Sequence, residues 1–117
     1  MTQSHLLALA TEIDGDKDTQ IVAIESASGY FIGTVNVAYR GKRSVCICGL
    51  FVHPSHRKNG VGRKLIEQCC VIAKEAGCET IGLLLNKGNE SSLFYEKVGF
   101  NFGYQYDDES ILMLRRF

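Results

Sequence analysis

Residues 50–77 read LFVHPSHRKNGVGRKLIEQCCVIAKEAG: the end of an apolar strand, a basic turn, then a helix opened by two glycines. Val61, Leu65, Cys69, Ile72 and Ala76 recur at helical spacing, while Arg63, Lys64, Gln68, Lys74 and Glu75 take the other side. Gly60 and Gly62 fall where the first turn begins, so no side chain covers backbone N–H groups that lack an intrahelical acceptor. Those donors, the positive end of the helix dipole, and Arg57, Lys58 and Arg63 beside them define a place for an anion, a phosphate above all. The better-known phosphate loops do not fit. There is no G-x-x-x-x-G-K-[ST], and G-x-G-x-x-G fails because position 65 is Leu.

Working upstream, residues 44–53 are rich in Val, Ile, Cys and Phe, and this near-continuous apolarity predicts a central strand buried on both faces. Pro54, which has no N–H, ends its ladder. Residues 20–26 and 30–40 flank the turn signal Ser28-Gly29 and form an antiparallel hairpin, since so short a loop cannot carry a parallel crossover. Residues 14–18 (DGDKD) read as a polar turn. Residues 5–13 alternate as a strand does, yet their Leu and Ala content, with Ser4 as a cap, would also serve a short helix. We take the strand.

Downstream, Gly77 stops the long helix. Residues 80–86 (TIGLLLN) are a buried strand, parallel to 44–53 because a helix lies between them. Residues 89–98 form a short helix closed by Gly99, with Phe100 folding back over its end. Phe102, Tyr104 and Tyr106 alternate along a half-exposed strand, and Asp107, Asp108 and Glu109 turn it into a last strand at 111–116. The order β-β-β-β-α-β-α-β-β makes residues 1–117 a single domain of the α/β class, a mixed sheet of about seven strands, mostly antiparallel, with two helices packed on it.

The formal net charge is zero, so the chain lacks the electrostatic footprint of a nucleic-acid binder. Its cations bunch locally, at residues 40–43 and 57–64, which suits a small polyanion better than a duplex. No apolar run is long enough for a membrane span, and the N-terminus has no signal pattern. Five cysteines, an odd number on predicted strand and helix faces, read as reduced small hydrophobes of a cytoplasmic protein. Cys46 and Cys48 precede His53 and His56, but C-x-C with H-x-x-H is not a zinc spacing, so no metal is expected. A thioredoxin-type redox role is excluded because no C-x-x-C occurs.

Leu50-x-Val52-x-Pro54, then Arg57-x-x-Gly60-x-Gly62, a long helix, a strand, and Phe94-Tyr95-x-Lys97-x-Gly99-Phe100 stand in a telling order and spacing. Together they resemble the GCN5-related N-acetyltransferase (GNAT) family, from about Tyr30 to the C-terminus. The resemblance implies a central parallel strand pair that splays, with acetyl-CoA as co-substrate. The pyrophosphate would lie on backbone N–H groups of Arg57, Lys58, Asn59, Gly60, Val61, Gly62 and Arg63. Pantetheine would lie between the splayed strands, on the backbone of Phe51 and Val52, as another strand would. The implied reaction is direct attack by a primary amine, of a small molecule or a peptide, on the thioester. The Val52 N–H would polarise the carbonyl, and Tyr95 would act as the general acid that protonates the departing thiolate.

The chain departs from the family pattern in three places. Residues 45–49 offer no carboxylate where a Glu base is usual, which leaves the base unassigned. Asn89 sits one residue nearer the tyrosine than the usual coenzyme-contacting Asn, with Asn86 as a competitor. The pair of helices usual between the first two strands is absent, so the acceptor wall is open or supplied by a second copy, and a homodimer is expected. Asp107 and Asp108 border the acceptor side in the family and would attract a cationic amine, or are simply a solvated turn. A reading of another class is a GNAT-like module that binds acyl-CoA or a protein partner with little catalysis.

Overall fold

The computed structural model describes residues 4–13, 16–25, 28–39, 44–57 and 60–117. The strands are β1 (Ser4–Ile13), β2 (Asp16–Glu25), β3 (Phe31–Tyr39), β4 (Ser44–Val52), β5 (Thr80–Asn86), β6 (Asn101–Gln105) and β7 (Ser110–Arg116). The helices are α1 (Val61–Glu75) and α2 (Ser91–Lys97), with a single 3₁₀ turn at Pro54–His56. One seven-stranded sheet runs β1-β2-β3-β4-β5-β7-β6. Among the described residues, only β4 and β5 pair in parallel; every other neighbour is antiparallel.

The ambiguous N-terminal stretch is a strand, paired with β2 from Ser4↔Glu25 to Ile13↔Asp16. Pairing also carries β2 into the stretch expected to be a polar turn: Asp16, Lys17 and Asp18 lie opposite Ile13, Glu12 and Thr11. A neighbouring ladder overrides local turn composition there. Both helices end as their glycines foretold. Gly77 and Gly99 adopt φ of 83° and 99°. Cys78 N–H reaches the Ala73 carbonyl and Phe100 N–H reaches that of Tyr95, the long bond of a Schellman cap in each case.

On α1, Val61, Leu65 and Cys69 are buried as expected, but the stripe continues through Ile66, Cys70 and Ala73. Ala76, placed on the apolar side by spacing, is exposed. These side chains join Val35, Val37, Val45, Ile47, Ile81 and Leu83 in one core, which also takes in Tyr95, Val98 and Phe100. Both helices therefore cover the same face of the sheet.

That arrangement corrects one expectation. β4 is central, but it is not buried on both sides: Val45 and Ile47 are in the core, whereas Cys48 is exposed and Phe51 is 42% exposed. The other face, among the described residues, has no helix over it. Phe31 stacks on Phe51 there with ring centroids 6.4 Å apart. Leu84 and Tyr104, each opposite Leu112, add to the apolar surface.

Two irregularities in β4 position the site. Its parallel register with β5 runs from Ser44↔Thr80 to Ile47↔Leu83 and stops, although both strands continue. Against β3 the register slips between Asn36↔Cys48 and Thr34↔Phe51, so Gly49 and Leu50 together oppose Val35. Gly49 takes φ 65° in this bulge, a conformation that suits glycine. Beyond it β4 leans away from β5, and Leu50 and Val52 turn onto the core.

Candidate functional site

A cleft of about 600 Å³ opens between the end of β4 and α2, beyond the point where β4 and β5 cease to pair. Leu50, Phe51 and Val52 form one wall, and Ser91, Phe94 and Lys97 of α2, with Val98 just after it, form the other. Gly60, Gly62 and Arg63 close the end, with Arg57 and His56 at the rim. A side chain on Gly62 would fill the space between the walls: a Cβ there would stand 3.3 Å from Phe94 Cζ and 3.7 Å from Val52 Cγ2.

The helix start has the open backbone geometry expected of it. The first intrahelical bond of α1 joins Lys64 N–H to the Gly60 carbonyl. The N–H groups of Val61, Gly62 and Arg63 thus precede any helical acceptor. Gly60 caps the helix at φ 82° with no side-chain cap, and the first turn carries no acid. Arg57 Nε donates to the Val52 carbonyl at 3.0 Å, which fastens the turn to the end of β4. Lys58 and Asn59 lie outside the described residues.

Strand geometry separates the two backbone candidates. His53 N–H bonds the Ile32 carbonyl across to β3. Successive residues of a strand point their N–H groups to opposite edges, so Val52 N–H faces the gap toward β5 while Phe51 N–H faces β3. Of the pair, Val52 alone presents a donor to whatever lies in the gap.

Tyr95 is buried, 6% exposed, and is not among the residues that line the cleft. Its ring sits edge-on to Phe94 at 5.2 Å and to Phe100 at 5.8 Å, one layer behind the wall. Burial, together with the Cys69 thiol, raises the phenol above its ordinary value of 10. Cys69 itself is pushed up to about 12 by burial and by neighbouring Cys70.

Asn86, Asn89, Asp107 and Asp108 are exposed and stand apart from the cleft lining. Asn89 Oδ1 accepts the Ser91 N–H at 2.8 Å, a local contact that starts α2 two residues later than spacing suggested. Asp107 Oδ1 accepts the N–H groups of Glu109 and Ser110 at 2.8 and 2.7 Å, and those bonds hold its carboxyl below the usual range. Sequence reasoning missed Leu50, His56, Ser91, Phe94, Lys97 and Val98 as lining residues. Ser91, Phe94 and Val98 are spaced as one helical face, the signal that could have found them.

The family model for the acetyltransferase (GNAT) domain matches residues 16–102. The chain belongs to that family. It is 40% identical over 62 residues to the glucosamine 6-phosphate N-acetyltransferase of Trypanosoma brucei brucei, a match covering 52% of this chain and 41% of that protein. It thus spans about two fifths of the length of that curated relative. Among solved structures, PaiA N-acetyltransferase from Thermoplasma acidophilum in complex with coenzyme A superposes with a TM-score of 0.76 at 20% identity, covering 86% of this chain and 61% of that one. A GNAT family acetyltransferase from Elizabethkingia anophelis with acetyl-CoA bound gives 0.74 at 14% identity, covering 86% and 76%. At such identities the likeness is one of fold.

Proposed function

We propose that this chain is an N-acetyltransferase that moves an acetyl group from acetyl-CoA to a primary amine by direct attack. The observation that carries the reading is the parting of β4 and β5 beside a helix start whose first N–H groups have no helical acceptor. The diphosphate lies on the N–H groups of Val61, Gly62 and Arg63, with Arg57, Arg63 and Lys97 supplying positive charge. The pantetheine arm takes the place of the missing rungs between the strands. Val52 N–H donates to the thioester oxygen as it becomes negative. The amine nitrogen bonds to the carbonyl carbon, the C–S bond breaks, and Tyr95 gives its proton to the CoA thiolate. A phenol raised by burial stays protonated at neutral pH, as an acid must.

The Trypanosoma relative is named for an amino-sugar phosphate, so glucosamine 6-phosphate belongs in any acceptor panel. Asp108 and Glu109, exposed at the β6–β7 turn, instead favour a cationic amine. The placement of Tyr95 behind the wall, and the lack of a carboxylate at residues 45–49, favour a second reading, a module that binds acyl-CoA with little turnover. Release of free thiol from acetyl-CoA over glucosamine 6-phosphate, polyamines and peptide amines decides between them, with CoA affinity measured separately by calorimetry. Binding without thiol release over every amine would leave the module. No binding at all would end both.

The bare apolar face supports a homodimer, since exposed patches of this kind mark interaction surfaces. Sedimentation at micromolar concentration reports it, and a monomer there removes the idea.

A further inference from the structure

Past its bulge, β4 turns the backbone of Val52 to the gap. His53 N–H donates to the Ile32 carbonyl at 2.6 Å, so the register pair Gly33↔Val52 is one whose own N–H and C=O groups point away from each other. Both polar groups of Val52 therefore face the β5 side. They are the donor and acceptor of a rung that β5 does not complete, since its register with β4 ends at Ile47↔Leu83. The acceptor half is already taken. Arg57 Nε donates to the Val52 carbonyl at 3.0 Å. Arg57 is exposed, lines the cleft, and among the described residues is paired with no carboxylate.

The same cleft ends at Gly60, Gly62 and Arg63, beside the bare start of α1. For a guanidinium, a neutral carbonyl is a weaker partner than a phosphate, which it meets through two parallel, charge-assisted hydrogen bonds. For the pantetheine arm, the carbonyl is the natural partner. With Val52 N–H on the thioester oxygen, the nearest amide N–H of the arm lies two methylenes from the sulfur. That N–H falls to the Val52 carbonyl, as the donor of a facing strand would. One carbonyl is thus contested by two donors, and one of the two has a better partner once a diphosphate arrives.

We infer that Arg57 is a positioning residue that couples the two halves of the coenzyme. Without ligand it holds the Val52 carbonyl and stands in the rung meant for the arm. A diphosphate draws the guanidinium off and leaves the rung to the arm. The inference rests on the acetyl-transfer reading above. The arm alone then binds against Arg57, whereas arm and diphosphate together bind better than their separate affinities predict. The strand end survives the exchange, because His53 N–H keeps the Ile32 carbonyl on the opposite edge.

Two probes separate the halves: S-acetylpantetheine, which has no phosphate, and inorganic pyrophosphate, which has no arm. Arg57→Ala should bind acetyl-CoA at least tenfold more weakly, yet bind S-acetylpantetheine about threefold to tenfold more tightly. A side chain that only meets phosphate would leave S-acetylpantetheine affinity unchanged, and one that only braces the turn would weaken both ligands. Either result overturns the proposal. In the wild-type protein, pyrophosphate should raise the affinity for S-acetylpantetheine, and Arg57→Ala should abolish that gain. A further measurement needs no variant: the carbon-13 resonance of the Val52 carbonyl should shift when pyrophosphate alone is added. A resonance that stays in place means Nε keeps the carbonyl while the other guanidinium nitrogens meet the phosphate, and the exchange is overturned. The parent reading fails by a different readout, the absence of thiol release over every amine, which none of these measurements uses. A wild-type protein that binds no acetyl-CoA ends both.

Discussion

Arg115 on β7 holds the carbonyl of Val98, at the end of α2, with an Nη1–O distance of 3.0 Å. The same nitrogen reaches Glu67 Oε1 on α1 at 3.1 Å. One guanidinium thus ties the sheet to both helices behind the cleft. Gly99 is part of the arrangement, since a Cβ there would meet Arg115 Cδ at 3.3 Å.

The two bonds are unequal. The Val98 carbonyl contact is part-buried, and Arg115→Met leaves that acceptor without its donor, at a cost of about 1–3 kcal/mol. Glu67 is half exposed, and its ion pair is worth about 1 kcal/mol or less. Urea unfolding should rank Arg115→Met well below Glu67→Gln. Because Val98 lines the cleft, acetyl-CoA affinity should fall in the first variant and hold in the second.

Gly60→Asp places a side chain at φ 82° and a negative charge at the positive end of α1. Acetyl-CoA affinity should fall at least tenfold, about 1.4 kcal/mol, by calorimetry. Gly62→Ala keeps the charge but sets a methyl group against Phe94, so it should weaken binding through the pantetheine arm alone. Free CoA and a CoA fragment without that arm would tell the two variants apart.

Tyr95→Phe should reduce kcat by a factor of about 100 or more with acetyl-CoA affinity unchanged. The raised phenol also sets the alkaline limb of kcat above pH 10. A limb well below 10 would mean another group gives the proton.

Stability should fall in alkali. The Cys69 thiol titrates near 9.0 when unfolded and at about 12 when folded. Its neutral form is the one the core accepts, so its contribution is complete below pH 9 and is lost as pH rises toward 12. A shift of that size corresponds to roughly 4 kcal/mol at the far end of the window. Tyr95, Cys70 and Cys78 are raised in the same sense. Urea midpoints from pH 8 to 11 should decline, and Cys69→Ala should decline less steeply.

Most of the fold was legible because its signals were local and redundant. Gly77 and Gly99 marked both helix ends, and residues 80–86 stood out as an apolar run between turns. Two-sided burial of β4 was misread because composition reports how apolar a strand is, not whether something covers it. The open start of α1 was legible too, since bare amides at Gly60 and Gly62 are written in residue type. The wall from α2 was not, because Phe94 as lining and Tyr95 as core differ by one position on a short helix.

The parallel seam between β4 and β5 holds by four register pairs, Ser44↔Thr80 to Ile47↔Leu83, while the ladders on either side of it, β3–β4 and β5–β7, are longer. Mechanically the sheet is two plates on a short hinge, with α1 as the brace across it. A ligand that hydrogen-bonds along the open edge would act as a splint, so amide exchange in β5 and β7 should slow on coenzyme binding more than exchange in β2.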